Sequence, residues 1–416
     1  MELYYSLSIL IVLATVFSYL NIRYLKLPST IGIMLIAFIV SLVLVLVGKI
    51  FPSAPLQEFS HILNNMDFPD LLMGGMLNFL LFAGAIPIAM SDLKEQKLPV
   101  IIFSTLSVII STFVIGFVLY YLLNFIFPMV HLHLEIPLVY CLIFGALISP
   151  TDPIAVLSIL KNSNVPKSLE MKISGEALFN DGIAVVVVAV LLKAADGQSV
   201  DLSFINISWL LVKEAIGGLL VGLLLGYIGA KAEIGANEDY KVSVLITLSV
   251  VMGGTMIAHF MGISGPLTMV AAGLLMGNSK RRRVPGESQV AIFWELLEDI
   301  MNAVLFLLIG FELLLIPNLQ NYWLIGIICI VTTLFARYIS IKIPAVTLPL
   351  KEKFSHGAII ILVWGGLRGG VPIALALSLS DSPYKQIIIA ATYFVVVFSI
   401  VIQGLTVGKI ARKIKV

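Results

Sequence analysis

Charge is scarce in this chain. Of its 416 residues only 12% are Asp, Glu, Lys or Arg, where an ordinary soluble domain carries about 25%. Too few charges to solvate a globular surface exclude a water-soluble protein of this size. Cysteine is scarce too. Cys141 and Cys329 both lie inside apolar runs and read as small core side chains, not as a disulfide or metal site. No glycine-rich loop ending in Gly-Lys-Ser/Thr is present, so no nucleotide site is expected. No cofactor and no nucleic-acid partner are expected either. The N-terminus, Met-Glu-Leu-Tyr-Tyr, lacks the positive flank and small-residue cleavage site of a signal peptide, so the first apolar run reads as a retained helix.

What fills the chain instead is apolar: 59% of it, with a mean hydropathy of +1.06. The surplus falls into runs of about 20 residues, the length that crosses a bilayer as a helix. The expected fold is an all-α polytopic membrane protein. Its thirteen spans are placed at 5–22, 30–50, 70–91, 99–127, 135–160, 174–194, 208–230, 242–261, 264–278, 293–316, 322–349, 355–380 and 384–408. Twenty of the 26 lysines and arginines fall on one side of this arrangement and only Lys49, Lys193, Lys213 and Lys385 on the other. Positive residues collect in the cytoplasm, so the N-terminus is expected outside and the C-terminus inside. Lys280 with Arg281, Arg282 and Arg283 is part of that signal, or a lipid contact.

Two spans carry helix breakers at mid-depth. Span five has Pro150 and Pro153 around Thr151-Asp152, and span twelve has Gly365, Gly366, Gly369, Gly370 and Pro372 around Arg368. They are an odd number of spans apart and so cross the membrane in opposite directions. Interrupted segments in two inverted halves are the sequence mark of a transporter's binding site.

The acids sit beside these breaks. Asp152 and Asp181 are placed about 12–15 Å deep from the same face, at about 1.5 Å of rise per residue. A charge at that depth is expensive and reads as functional. Two carboxylates at one depth, with the Thr151 hydroxyl and the Thr151 carbonyl freed by Pro153 and the break, offer hard oxygen ligands to a small cation. Removal from water favours the neutral form of a carboxylate and a cation favours the charged form. Protons and cations therefore compete for the same oxygens, the minimum mechanism of exchange. Glu176 and Asn180 are four apart and share a helix face. Glu176 needs a partner: Arg337 in span eleven is the first choice and Arg368 the second. Glu312, Asn302 and Asp299 in span ten read either as an entry funnel or as solvated and capping groups. His259 reads as a hydrogen-bonded core residue.

Ser-Pro-Thr-Asp-Pro (149–153), Gly-Glu-Ala-Leu-Phe-Asn-Asp-Gly (175–182), Ala-Arg (336–337) and Gly-Gly-Leu-Arg-Gly-Gly (365–370) resemble, in order and spacing, the signature segments of the sodium/proton antiporters of the NhaP and NHE kind. The resemblance covers nearly the whole chain. It implies an NhaA-like antiporter fold with inverted repeats and an alternating-access homodimer in the cell membrane that serves pH homeostasis. The ion-carrying core would be about 99–194 and 322–408, and the dimer scaffold about 1–91 and 208–316. It further implies Thr151, Asp152 and Asp181 as the Na+ site, Asn180 in support of Asp152, and a Glu176–Arg337 pair. The Asn180-Asp181 pattern belongs to the electroneutral branch, one cation for one proton. Two positions depart from the family. Ala177 stands where a serine is usual, and Phe82-Ala83-Gly84-Ala85 lacks an acid. Fewer ligand oxygens keep K+/H+ exchange open as an alternative, beside Li+ as a further cation. An intramembrane aspartyl protease would need a Gly-x-Gly-Asp-like segment, which Phe-Asn-Asp does not supply. A passive channel does not call for opposed broken helices. The expected protein is a transporter, not an enzyme.

Overall fold

The structure is a computed structural model. It describes residues 2–50, 68–126, 135–152, 156, 166–195, 204–236, 239–281, 289–314, 316, 319–347 and 354–413. Among these there is no strand. Helix occupies each of the thirteen windows read from the sequence. The labels used below are α1 (Glu2–Leu20), α2 (Ser29–Ile50), α3 (Leu77–Ala85), α4 (Lys97–Tyr121), α5 (Leu138–Ile148), α6 (Lys167–Ala195), α7 (Phe204–Gly235), α8 (Tyr240–Met261), α9 (Gly265–Arg281), α10 (Gln289–Phe311), α11 (Trp323–Thr347), α12 (His356–Trp364), α13 (Gly370–Leu377), α14 (Lys385–Phe398) and α15 (Gly404–Lys413). Among the described residues, eight helical stretches are long and apolar enough to cross a membrane, and Pro69–Ala85 and Leu138–Ile148 are shorter apolar helices.

Local chemistry explains where helices start and stop. The Asp239 carboxylate accepts from the Lys241 N–H at 2.9 Å and opens α8; the Ser355 hydroxyl accepts from the Ala358 N–H at 3.0 Å and opens α12. α8 closes on Gly262 at φ +61°, a left-handed position that glycine reaches without a Cβ clash. Short π-helical turns extend several spans, among them Leu122–Ile126 after α4 and Ser399–Gln403 between α14 and α15.

Packing between helices rests on small residues, as expected where lipid offers no hydrophobic drive for association. Gly218, Gly222 and Gly226 line one stripe of α7 at four-residue spacing. A Cβ on Gly218 would lie 2.7 Å from the Ser264 carbonyl, and one on Gly226 would lie 2.9 Å from Ala272 Cα. Any larger residue here separates α7 from α9. α4 packs on α5, α6 and α11, and α14 on α11 and α13; α10 packs on α2 and α3. Trp294 of α10 fills the space beside Phe82, ring centroids 4.7 Å apart, and its indole N–H donates to the Thr247 hydroxyl at 3.0 Å.

Candidate functional site

Both expected breaks are present. α5 ends at Ile148, because Pro150 has no N–H to continue the ladder and its ring clashes with the preceding turn. α12 ends at Trp364 and α13 begins only at Gly370, with the glycine-rich segment unwound between them. Each break exposes backbone groups that a helix would have satisfied, and in a membrane interior no water replaces them.

The two breaks satisfy one another. The Asp152 N–H donates to the Leu367 carbonyl at 2.7 Å. The Arg368 guanidinium donates through Nη1 to the carbonyls of Ser149 and of Pro150, the latter at 2.8 Å. The Arg368 N–H in turn donates to the Ser399 hydroxyl at 2.9 Å, which ties the break to the π-helical turn of span thirteen. A cation on Arg368 thus neutralises carbonyl dipoles stranded at the end of α5. Arg368 is the sequence's second-choice partner for Glu176; its described side-chain bonds instead go to backbone oxygens, which no sequence letter marks.

α6 brings the remaining residues. Leu169, Ile173, Glu176, Asn180 and Ala184 recur every three or four positions and are buried on one face. Glu176 is 1% exposed and forms an ion pair with Arg337, so the partner of first choice is the one found. Arg337 also donates through Nη2 to the Leu362 carbonyl at 3.0 Å, joining α6, α11 and α12. Asn180 donates its amide N–H to the Thr151 hydroxyl at 2.9 Å. Its Oδ1 has no hydrogen-bond partner among the described residues. Asp181, one residue on, is turned about 100° from that face and is half-buried, as is Asp152. Asp152 and Arg368 both act electrostatically on Asp181, so the three charges share one locality.

Gly369 decides how closely the breaks approach. A Cβ there would lie 2.9 Å from Asp152 Cβ and 3.0 Å from its Cγ, and nearer still to Oδ2. The Asp152 carboxylate therefore rests directly on the α12–α13 break. Pro153 and the segment 157–165 lie outside the described residues.

The chain matches the family model "Sodium/hydrogen exchanger, transmembrane" over residues 10–413. It belongs to that family. Among its relatives is the Na+/H+ antiporter NhaP of Pseudomonas aeruginosa, 42% identical over 412 residues that cover 97% of this chain and 95% of that one. The Na+/H+ antiporter NhaH of Halobacillus aidingensis is 33% identical and covers 90% of this chain and 91% of its own. Among solved structures, the sodium proton antiporter MjNhaP1 of Methanocaldococcus jannaschii superposes with a TM-score of 0.77. It does so at 21% identity, over 99% of each chain, which gives a common fold.

Other polar residues fall differently from expectation. His259, read as a core histidine, is exposed on the last turn of α8. Glu312 and Asn302 are buried at 3% and 2% exposure, while Asp299 is exposed. Ala83 is 3% exposed and sits in an apolar cluster with Phe82, Met269 and Trp294. Cys141 and Cys329 are free thiols, both buried. Arg282 and Arg283 lie outside the described residues.

Proposed function

We propose that this chain exchanges Na+ for H+ across a membrane by alternating access, one for one, with Asp181 as the shared carrier of proton and cation. The observation that carries the reading is the meeting of two unwound helices beside Asp152, with Asn180 holding Thr151 at the same place. Na+ is the cargo, taken by oxygens of Asp152, Asp181 and Thr151. Membership of the sodium/hydrogen exchanger family supports Na+ over K+, and so do the names of the relatives above. The segments about 99–194 and 322–408 move as the core against a scaffold of about 1–91 and 208–316, and two copies pair through the scaffold. Most lysines and arginines then face the cytoplasm, with the N-terminus outside.

Exchange proceeds by competition. With Asp181 protonated, the core carries a neutral site across; with Na+ bound, the site's charge is neutralised by the cargo instead. Either loaded state crosses more readily than a bare carboxylate, which would have to lose its hydration. The Arg368–carbonyl contacts hold the two breaks together while the core moves.

The test is proteoliposome uptake with internal pH recorded, offering Na+, Li+ and K+ in turn. Na+ should drive proton efflux and K+ should not; proton movement with K+ alone would overturn the choice of cargo. An imposed membrane potential should leave the rate of exchange unchanged, because one charge moves each way. A rate that follows voltage would overturn the one-for-one coupling.

Gly369→Ala supplies a local check. Its new Cβ displaces the Asp152 carboxylate, and overpacking of this kind costs about 1–3 kcal/mol. The sodium concentration for half-maximal exchange should rise about tenfold. An unchanged value would separate Asp152 from the cation site.

A further inference from the structure

Glu312 is a buried acid that the exchange reaction does not use. It opens the 3-10 turn Glu312–Leu314 at the C-terminal end of α10, and it is only 3% exposed. Its Oε1 has no hydrogen-bond partner among the described residues, and no ion pair among them reaches it. Tyr393 of α14 has the same need. It is 2% exposed, and its hydroxyl is buried without a partner among the described residues, where a buried tyrosine hydroxyl normally finds one. The two orphans share one place: the Tyr393 hydroxyl sits in the field of Glu312 and beside the Leu313 backbone.

The helices around the turn place no cation beside Glu312. The turn packs on α2, whose one charged residue, Lys49, comes eight residues after Ser41. The Ser41 hydroxyl donates to the Gly310 carbonyl at 2.9 Å, so Lys49 is about 12 Å farther along the helix. α14 carries Lys385, eight residues before Tyr393, and its ammonium already pairs with Asp381 at 3.2 Å. α1, α3 and α13 also pack on α10 and contain no lysine, arginine or histidine.

An ionised Glu312 would be a buried charge without a counter-ion, which folded proteins avoid. A neutral acid carries no such cost. It has one O–H donor and keeps acceptor capacity. One hydrogen bond with the Tyr393 hydroxyl, direct or through a single water, then satisfies both orphans.

We propose that Glu312 is a second proton-holding carboxyl of this protein, kept as the neutral acid and hydrogen-bonded to Tyr393. It stands apart from the exchange site. Tyr393 precedes Ser399, the anchor of the Arg368 N–H, by six residues, about 9 Å of helix. Glu312 belongs to the scaffold segment proposed above and Tyr393 to the core segment. On that reading the pair fastens scaffold to core in this arrangement and parts when the core moves. A neutral acid can part from its partner without baring a charge.

Infrared difference spectroscopy on the full chain in detergent tests the proton without reference to transport. The spectrum of the unaltered protein minus that of Glu312→Gln, at neutral pH, should contain a carboxylic-acid carbonyl band that moves down in D2O. Tyr393→Phe should shift that band to higher frequency, because its hydrogen bond is lost. The second comparison is made against the unaltered protein, so it stands even where Glu312→Gln does not fold. A carboxylate band in place of the acid band would overturn the proposal, and so would an acid band indifferent to Tyr393→Phe. In proteoliposomes, Tyr393→Phe should raise the exchange rate at saturating sodium and leave the half-maximal sodium concentration unchanged. A rate that stays the same or falls would overturn the fastening, and a shifted half-maximal concentration would overturn the separation from the exchange site. Absence of sodium-driven exchange from the unaltered protein would instead overturn the exchange reading and leave the spectral result standing.

Discussion

Asp181→Asn abolishes sodium-driven proton movement in proteoliposomes, down to the level of empty vesicles, while the protein still inserts and purifies. The amide keeps the size of the side chain but can neither release a proton nor balance a sodium ion. Asp181 is the carboxylate on α6 that shares its locality with Asp152 and Arg368. It lies one residue past Asn180, whose amide already holds Thr151 at 2.9 Å. The expected loss is complete because the same group is asked to carry both ions; a residue serving only one of them would leave leak or slippage. The check is the rate of internal pH change after a sodium jump, with circular dichroism and size-exclusion profiles to establish folding. Wild-type-like coupled transport in this variant removes Asp181 from the site.

The second large effect is on stability. Glu176 and Arg337 are 1% and 4% exposed and pair across α6 and α11. Removing one partner of a buried pair typically costs about 3–5 kcal/mol, because the other charge is left uncompensated. Glu176→Gln and Arg337→Gln should therefore each lower the melting temperature sharply. The double variant should lose less than the two singles together, since the second change removes the orphan. Arg337 complicates the sum in a useful way. It also donates to the Leu362 carbonyl, so Arg337→Gln should be the more damaging single. Strict additivity across the four proteins would mean that the contact contributes nothing.

These effects depend on features that differ in how visible they are in the sequence. The two breaks were legible because proline and glycine act on the backbone locally: Pro150 stops α5 and the Gly365–Gly370 cluster stops α12 wherever they are placed. Glu176 and Arg337 were legible as a pair because a buried charge must find its opposite, and few candidates lie in the spans. The bonds of Arg368 were not legible. Carbonyls of Ser149 and Pro150 are acceptors that every residue carries, and only the fold brings them to a guanidinium. The same holds for the Asp152–Leu367 contact and for the role of Gly369, whose missing Cβ matters only because a carboxylate lies against it. His259 failed for a different reason. In a membrane helix the exposed side is as apolar as the core, so periodicity does not tell a buried histidine from an exposed one such as His259. Gly218, Gly222 and Gly226 could have been read as a packing stripe from their spacing alone.

The central claim is that a proton and a sodium ion compete for one set of carboxylate oxygens. Proton release on sodium binding measures it directly. Sodium is added to the purified protein in weakly buffered detergent solution, and the protons released are counted with a pH indicator against the sodium bound in calorimetry. At a pH where the site starts protonated, the competition predicts about one proton released per sodium ion bound, and none from Asp181→Asn. Sodium binding without proton release would contradict it, and so would equal release from the protein and its Asp181→Asn variant.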